Sequence, residues 1–431
     1  MREAETVRAG MPPRSVVVVG ASHAAVHFAD RLRETGFTGE ITLVSHEPRL
    51  PYQRPPLSKG WLKGEVTSES LLLRDPTHYA DKEIELITGA RVEQVTRTPA
   101  GIRIEFAGEG GSCTREFDRL VLATGARART LALPGSEHPD VVRLRDLGHA
   151  SVLADRVRKG PIVVIGGGFV GLEVAATART LGTEVTVIEA GSRLLGRSVG
   201  EVTAEALRAA HRAIGTDIVL DAQPTAITIA DNGIRGVRLD DGREITATTV
   251  LVGIGAEPRT ELAFQLGLRC AGGVVVDNRC LTSDGRTLAI GDCTTRVSPT
   301  GGHYRLESVD NATTQAEVAA AVLAGSTAPV PAVPWFWSDQ GDQKLQIVGL
   351  IGDHTSVVVR TDPDKPRRRV ALYFAGDGLV AAECLNAPAD FVALRAALGR
   401  GRRPGPEELS DSTVPLKKLL TSGGSGAIAR P

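Results

Sequence analysis

Ile162-Val-Val-Ile-Gly-Gly-Gly-Phe-Val-Gly171 is the stretch of sequence that decides the fold. A run of β-branched residues ends in Gly166-x-Gly168-x-x-Gly171, and an alanine-rich segment with helical spacing follows it. The first glycine allows a tight turn, the second lets a pyrophosphate approach the backbone, and the third lets helix and strand pack closely. The pattern predicts a strand, a turn and a helix whose N-terminus binds a dinucleotide.

A carboxylate follows where such a unit recognises the ribose. Glu189 stands 23 residues after Gly166, at the end of the next predicted strand, Val185 to Ile188. At this position an acidic side chain accepts hydrogen bonds from ribose hydroxyls. The same carboxylate repels a 2′-phosphate, so the sequence favours NADH, while Arg193 and Arg197 nearby leave NADPH as the alternative.

The same device occurs a second time, 146 residues earlier. Val16 to Val19 leads into Gly20-Ala-Ser22-His-Ala24-Ala25, and the next predicted strand is Ile41 to Val44. Here Ser22 stands at the second glycine position, so the loop must open slightly, although its hydroxyl could donate to a phosphate. The ribose position is irregular too, because the strand is followed by His46 and Glu47. Two βαβ units predict two Rossmann-type domains and two dinucleotides.

Composition excludes several classes of protein. Of 431 residues, 42% are hydrophobic and 23% charged, values typical of globular chains, and the net charge of -1 gives no general attraction to nucleic acid or anionic membranes. Neither an apolar stretch of ~20 residues nor a signal-peptide hydrophobic region is present, so we expect a cytoplasmic protein without a membrane span. The five cysteines are far apart and predict no metal site.

Several motifs outside the glycine turns resemble one family. Leu50-Pro-Tyr-Gln-Arg-Pro-Pro-Leu-Ser-Lys59, Leu122-Ala-Thr-Gly-Ala126, Ala289-Ile-Gly-Asp292, Leu306-Glu-Ser-Val-Asp-Asn311 and Trp335-Phe-Trp-Ser-Asp-Gln340 are similar to segments of the FAD- and NADH-dependent ferredoxin reductases of bacterial oxygenase and cytochrome P450 systems, the putidaredoxin reductase-like family. The resemblance extends from about residue 15 to about residue 420. Apoptosis-inducing factor is a more distant likeness.

The resemblance implies an α/β protein with two Rossmann-type, glutathione-reductase-like domains and a smaller α+β C-terminal domain. The expected boundaries are 14–131 with 258–328 for a discontinuous FAD-binding domain, 132–257 for the NADH-binding domain, 329–420 for the C-terminal domain, and 1–13 and 421–431 for flexible tails. Beyond the proline-rich linker, segments such as Val370 to Phe374 alternate as antiparallel strands do, and one helix is predicted over Asp390 to Leu398.

Site residues follow from the resemblance position by position. Gly20 and Ala24 are expected at the FAD pyrophosphate, His46 with Glu47 at its ribose, Arg54 and Lys59 along the cofactor, the Val92 backbone at adenine, Arg145 reaching FAD from the neighbouring domain, Asp292 at the ribitol, the Val309 amide at the pyrimidine ring, and Trp337 beside the isoalloxazine. Further expected cofactor contacts are Ser22, Thr124, Gly125, Gly291, Arg197 and Gly255, besides Gly166, Gly168, Gly171 and Glu189.

Lys59 and Glu173 are the expected catalytic pair. The resemblance implies that Lys59 lies near flavin N5 and pairs with Glu173. A fixed ammonium there stabilises the negative charge that hydride transfer creates, and the carboxylate keeps that ammonium protonated. The alternative is a solvated lysine and a first-turn helix acid favoured by the macrodipole. Core packing is the alternative for Trp335 and Trp337, and a helix N-cap for Asp292.

The implied reaction is hydride transfer from NADH to FAD, followed by two single-electron transfers to a 2Fe–2S ferredoxin. Pro51 to Lys59 contains no cysteine, which disfavours thiol and peroxide substrates. An NADH oxidase or peroxidase is the first alternative, and a flavoprotein that senses NADH, like apoptosis-inducing factor, is the second. Arg367-Arg368-Arg369 and Lys417-Lys418 are either a docking site for an acidic ferredoxin or solvated surface charges.

Overall fold

A computed structural model describes residues 13–108, 111–231, 233–298, 301–330 and 332–422. The contacts within the chain divide it into two compact units. Unit 1 comprises Met1–Arg54, Thr67–Arg127 and Ala256–Pro331; unit 2 comprises Pro55–Val66, Ala128–Gly255 and Ala332–Pro431. The division differs from the predicted domains in that the segment with Lys59 and the C-terminal domain belong to the same unit as the second glycine turn.

Unit 1 is built on a parallel sheet of five strands. In spatial order they are Leu288–Ala289, Arg119–Leu122, Ser15–Val19, Glu40–Val44 and Ile84–Ile87. Continuous β-branched runs suit such a sheet because both of its faces are covered, and Val16, Val17 and Val18 are fully buried. The predicted parallel strands are confirmed to within one or two residues.

Two long helices and two small sheets complete unit 1. Helix His23–Glu34 follows the first glycine turn, and its buried face packs in the same core as helix Val309–Leu323. The remaining strands are Arg91–Thr98, Gly101–Gly108 and Gly111–Phe117 in one sheet, and Val274–Val276, Thr294–Val297 and His303–Tyr304 in another. The short helices are Glu69–Leu71, His78–Asp81, Glu261–Gln265 and Gly291–Cys293.

Unit 2 contains the second parallel sheet. Its strands, in spatial order, are Asp217–Val219, Val185–Ile188, Ile162–Ile165, Thr249–Val252 and Val141–Val142. The two strands predicted from the glycine turn have the predicted bounds. The helices are Pro55–Ser58, Gly60–Lys63, Leu147–Arg156, Phe169–Thr180 and Glu201–Ala213, and an antiparallel sheet of Pro224–Ala230, Gly233–Leu239 and Glu244–Thr246 lies beside them.

The C-terminal part of unit 2 is an antiparallel sheet followed by helices. The strands, in spatial order, are Trp335–Gln340, Gln343–Gly349, Gly378–Leu385, Arg369–Ala375 and Ser356–Thr361. The helices are Pro388–Gly399, Pro406–Ser410 and Leu416–Ser422. The predicted antiparallel strands and the predicted helix are confirmed. Residues 421 and 422, expected in a tail, end the last helix, whereas 1–12 and 423–431 lie outside the described residues.

Apart from the short excursion Pro55–Val66, the chain passes from unit 1 to unit 2 within strand Ala126–Ala128 and returns to unit 1 at strand Ala256–Pro258. None of the helices in the described part of the chain is long and apolar enough to cross a bilayer.

A buried arginine joins the C-terminal sheet to the end of the described chain. Arg360 is 2% exposed, and its guanidinium donates to the carbonyls of Leu409, Asp411 and Val414, each at 2.6 Å. Burial lowers the pKa of this guanidinium, which as an arginine side chain remains charged. Three N–H donors of one side chain therefore satisfy backbone carbonyls at the end of helix Pro406–Ser410 and in the segment that follows it.

We expect Arg360→Met to lower the free energy of unfolding by about 3 kcal/mol, because the buried Leu409 carbonyl and the carbonyls of Asp411 and Val414 lose their hydrogen bonds to a charged group. Urea unfolding of the purified protein measures this. The control is Arg400→Met, on an exposed arginine just after helix Pro388–Gly399. Equal stability of the two variants would contradict a stapling role for Arg360.

Candidate functional site

In the glycine turn of unit 2, two glycines are required by the fold, and the third leaves room for a ligand. A Cβ on Gly166 would lie 2.5 Å from the Gly253 oxygen, and one on Gly171 would lie 2.4 Å from the Gly166 oxygen. These two glycines are thus demanded by the tight turn and by helix–strand packing. Gly166 also has a φ of +107°, which side chains other than glycine rarely adopt.

Gly168 is different, since no part of the protein requires a glycine there. Its backbone is extended (φ −82°, ψ 175°), and the nearest atom to an added Cβ is 3.8 Å away. It precedes helix Phe169–Thr180, whose first turn has no acidic residue and no side-chain cap. Open space in front of uncapped amides at a helix N-terminus fits a pyrophosphate. The residues present therefore fit a dinucleotide.

Glu189 lies at the edge of this turn with both carboxylate oxygens engaged. Oε2 accepts from the Gly167 amide at 2.7 Å and Oε1 from the Gly191 amide at 2.8 Å. A carboxylate oxygen accepts more than one hydrogen bond, so the side chain is held in place with capacity for ribose hydroxyls. Gly255, also expected here, has a φ of +102°, and its carbonyl accepts from the Arg129 amide.

The two arginines near Glu189 differ. The Arg193 guanidinium donates to the carbonyls of Val199 and Gly196, each at 2.7 Å, so it stabilises its own loop. Arg197 is exposed. Of the two cations that left NADPH as an alternative, one is committed to the backbone, which strengthens the expectation of NADH.

The first glycine turn, in unit 1, has an arginine beside it. A Cβ on Gly20 would lie 2.2 Å from the Ala123 oxygen, so this glycine is required by the fold. Ser22 has the extended backbone of Gly168, and its hydroxyl makes no hydrogen bond to the helix that it precedes. That hydroxyl accepts from Arg54 Nε at 3.4 Å, so its proton stays available to a ligand. A guanidinium and an uncapped helix N-terminus together suit a phosphate.

Glu47 orients this arginine. Its carboxylate accepts from Arg54 at 2.6 Å and from the Tyr52 hydroxyl at 2.5 Å, while the side chain of His46 is exposed. The arginine and the acid predicted separately from the sequence are thus brought together in one ion pair.

His23 is a residue of this cluster to which the sequence pattern assigned no role. It is the first residue of helix His23–Glu34. Burial lowers the pKa of His23 to about 4; the positive charge of Arg54 adds to the effect and Asp292 opposes it. The imidazole is therefore neutral at physiological pH. His23 is visible in the sequence of the turn, but its burial beside Arg54 and Asp292 depends on distant segments.

The other expected contacts of unit 1 lie at the ends of its elements. Gly291 and Asp292 form a short 3-10 turn, so Asp292 is not a helix N-cap. The Gly291 amide donates to Gln315 at 2.7 Å, and the Thr124 hydroxyl donates to the Arg259 carbonyl at 2.7 Å. The remaining positions are Ala24 in the first helix turn, Gly125 with a φ of +65°, Val92 in strand Arg91–Thr98 and Val309 at the first position of its helix.

Lys59 and Glu173 form a buried ion pair within unit 2. The Lys59 ammonium donates to Glu173 Oε2 at 2.6 Å, and the two side chains are 21% and 9% exposed. It also donates to the Pro55 carbonyl at 3.0 Å. Glu173 is the fifth residue of helix Phe169–Thr180, beyond the first turn. A solvated lysine and a first-turn helix acid do not describe this arrangement.

Two serines that the sequence pattern did not single out complete the surroundings of Glu173. Ser58 donates to Oε2 at 2.5 Å, and Ser338 donates to Oε1 at 2.8 Å. Ser58 precedes Lys59, and Ser338 lies in the Trp335–Gln340 segment, so both belong to motifs already conspicuous in the sequence. Their contact with Glu173 arises only when the chain folds.

The tryptophans of the same strand are half-buried rather than enclosed in the core. Trp337 stacks on Trp335 with ring centroids 5.3 Å apart, and Phe336 packs on Phe169 at 4.5 Å. Phe169 opens the helix that carries Glu173. Arg145 lies in the same unit, just before helix Leu147–Arg156.

Two of the five candidate docking charges are paired with carboxylates. Arg367 pairs with Asp342 at 2.5 Å, and Arg368 pairs with Asp390.

Burial raises the pKa of the Cys280 thiol to about 12, and Cys293 and Cys384 are buried too. Within the described residues, no group of three or more His, Cys, Asp or Glu side chains is arranged to hold a metal ion.

Comparison with known proteins finds two family models that match most of the chain. The model of a family described as pyridine nucleotide-disulphide oxidoreductase matches residues 14–316, and one described as reductase C-terminal matches 335–420. Rhodocoxin reductase of Rhodococcus erythropolis is 40% identical over 408 residues, which are 94% of each chain.

Two solved structures are similar over almost the whole chain. The ferredoxin reductase for the CYP199A2 system of Rhodopseudomonas palustris is 39% identical with a TM-score of 0.89, covering 95% of this chain and 100% of that one. Putidaredoxin reductase in its covalent complex with putidaredoxin is 34% identical with a TM-score of 0.89, covering 95% and 98%.

We expect Glu189→Ala to weaken the preference for NADH over NADPH by about tenfold, since it removes a charged acceptor for the ribose and the repulsion of a 2′-phosphate. The ratio of kcat/KM for the two nucleotides measures this. Glu184→Ala, on an exposed acid at the other end of the same strand, is the control. An unaltered ratio in Glu189→Ala would remove this residue from ribose recognition.

Proposed function

The chain belongs to the pyridine nucleotide-disulphide oxidoreductase family, and we propose that it transfers electrons from NADH through FAD to a small 2Fe–2S ferredoxin. The ferredoxin in turn supplies a cytochrome P450 or Rieske oxygenase. The observation that carries this proposal is the buried ion pair between Lys59 and Glu173, on the helix whose N-terminus forms the dinucleotide turn.

Similar proteins support the electron acceptor. They include a rhodocoxin reductase, the ferredoxin reductase of a CYP199A2 system, and a reductase joined covalently to putidaredoxin. The match at 335–420 to the reductase C-terminal model extends the likeness beyond the nucleotide-binding part. A ferredoxin accepts one electron at a time, which agrees with a chain that has no cysteine between Pro51 and Lys59.

The proposed NADH site consists of the second glycine turn and the loop after it. Gly168 gives the pyrophosphate room at the helix N-terminus, and Glu189 holds the ribose hydroxyls. Expected contacts that complete this site are Gly166, Gly171, Arg197 and Gly255.

The proposed FAD site uses the first glycine turn. Ser22 and Arg54 donate to the pyrophosphate, Glu47 orients Arg54, and His23 adds a neutral imidazole. Its further proposed contacts are Gly20, Ala24, His46, Val92, Thr124, Gly125, Arg145, Gly291, Asp292, Val309 and Trp337.

Lys59 is the proposed catalytic residue, and Glu173 holds it. FAD, when bound, takes up two electrons together as hydride and releases them singly. The Lys59 ammonium is a fixed positive charge that stabilises the negative charge developing on the cofactor. Glu173 holds the ammonium in place through an ion pair of 2.6 Å, and because the carboxylate is buried and the ammonium half-buried, water screens the field of the pair only in part.

We also propose that the FAD-binding domain comprises 14–131 and 258–328, the NADH-binding domain 132–257, and the C-terminal domain 329–420. The match of one family model to 14–316 and of another to 335–420 supports the start of the C-terminal domain.

We also propose that the protein acts in the cytoplasm, where NADH is produced.

We expect the purified, FAD-loaded protein to reduce cytochrome c with NADH only when a 2Fe–2S ferredoxin is added. Screening several purified ferredoxins in this assay, with oxygen uptake recorded in parallel, tests the proposal, and omission of ferredoxin is the control. Rapid oxygen uptake that ferredoxin does not affect would instead establish an NADH oxidase. Slow reduction with a persistent long-wavelength absorbance would establish an NADH-sensing flavoprotein.

A further inference from the structure

A line of buried polar side chains leads away from Glu173 inside unit 2. Ser338 and Gln340 lie on strand Trp335–Gln340, and His211 lies near the end of helix Glu201–Ala213. Their exposed fractions are 0%, 2% and 1%. Burying polar groups is unfavourable unless they are hydrogen-bonded, so each of their contacts matters energetically.

The hydrogen bonds along this line all donate in the direction of Glu173. Burial lowers the pKa of His211, so its imidazole is neutral. The Gln340 carbonyl oxygen can only accept, so His211 Nε2 carries the proton and donates to it at 3.0 Å. The Gln340 amide then donates to the Ser338 hydroxyl at 3.2 Å, and that hydroxyl donates to Glu173 Oε1 at 2.8 Å.

The two oxygens of Glu173 thereby have different partners. Oε2 accepts from Lys59 at 2.6 Å and from Ser58 at 2.5 Å, while Oε1 accepts from Ser338. A carboxylate fixed at both oxygens cannot rotate about its terminal bond without breaking a charge-assisted hydrogen bond. Donors in series also polarise one another, which strengthens the last bond of the line.

We propose that Ser338 and Gln340 are positioning residues for Lys59, and that the first strand of the C-terminal domain thereby sets the rate at which NADH reduces the cofactor. Without the Ser338 hydroxyl, the Glu173 carboxylate turns and attracts the Lys59 ammonium more strongly. The ammonium then moves away from the position in which it stabilises the reduced cofactor. This inference deepens the proposed function and rests on it.

A merely structural role for Ser338 is the competing explanation, since the same hydrogen bond attaches a strand to a helix. That role predicts a loss of stability and nothing else. A positioning role predicts a change in the redox properties of the bound cofactor, because the position of a nearby positive charge decides how well the reduced form is stabilised.

The test is Ser338→Ala in the FAD-loaded protein. We expect the rate constant of flavin reduction at saturating NADH to fall about tenfold, the factor for one hydrogen bond to a charged group, with unchanged Kd for NADH. The flavin midpoint potential, measured against a reference dye with dithionite and without NADH, should become more negative. Ser338→Thr, which keeps the hydroxyl, should have the rate constant and the midpoint potential of the wild type. Gln340→Leu should lower the rate constant by a smaller factor of about five.

The matched control is Thr183→Val. Thr183 is buried in the same unit, and its hydroxyl donates to the Val157 carbonyl at 2.5 Å, away from Glu173. The inference is overturned if Ser338→Ala keeps the wild-type rate constant and potential, or if Thr183→Val shifts both as much. Because the potential requires neither NADH nor ferredoxin, failure of the wild type to reduce any ferredoxin would overturn the proposed function separately.

Discussion

The ion pair between Lys59 and Glu173 is the interaction on which the rest of unit 2 depends. A buried carboxylate is unstable without a complete set of partners, and this one receives an ammonium and two hydroxyls. Those partners come from two separate stretches of the chain, Pro55–Val66 and strand Trp335–Gln340, and the carboxylate itself comes from a third, helix Phe169–Thr180. The partners of this carboxylate, together with a shared apolar core that includes Leu62, Leu172 and Leu345, attach the Lys59 segment and the C-terminal sheet to the second glycine turn.

Both glycine turns are suited to a phosphate at a helix N-terminus, but they use different side chains. Gly168 leaves space that a phosphate can enter, and the Glu189 carboxylate ties the turn to the following loop. In unit 1 the equivalent Ser22 keeps its Cβ, and Arg54 supplies a positive charge beside it. Glu47 lies close enough to orient that charge. A degraded motif is thus compensated by a residue more than thirty positions away.

Most of the fold was predictable because it rests on local patterns. Continuous β-branched runs ending at glycine predicted the strand at the centre of each parallel sheet, and alternation predicted strands of the C-terminal sheet such as Arg369–Ala375. Short strands of the parallel sheets such as Ile84–Ile87 and Asp217–Val219 were not predicted. Strand Gln343–Gly349 was not predicted, and Trp335–Gln340 was noticed only as a motif. Their buried glutamines and serine obscure the alternation, since Ser338, Gln340 and Gln343 face the interior.

The site was predictable only where the chain carries a motif. Lys59 and Glu173 were paired from a resemblance, and the geometry agrees with that pairing. Ser338, Gln340 and His211 depend on contacts across more than a hundred residues, and no spacing rule connects them. His23 was visible as a residue of the turn, but its low pKa comes from burial and from the positive charge of Arg54, which is distant in sequence.

The measurement that most directly tests the role of the ion pair is single-turnover reduction of bound FAD by NADH in Lys59→Met, followed anaerobically by stopped flow. A fixed charge beside the reacting atoms predicts that the rate constant falls by about a hundredfold or more at saturating NADH. An unaltered rate constant in a stable, FAD-loaded variant would contradict the account.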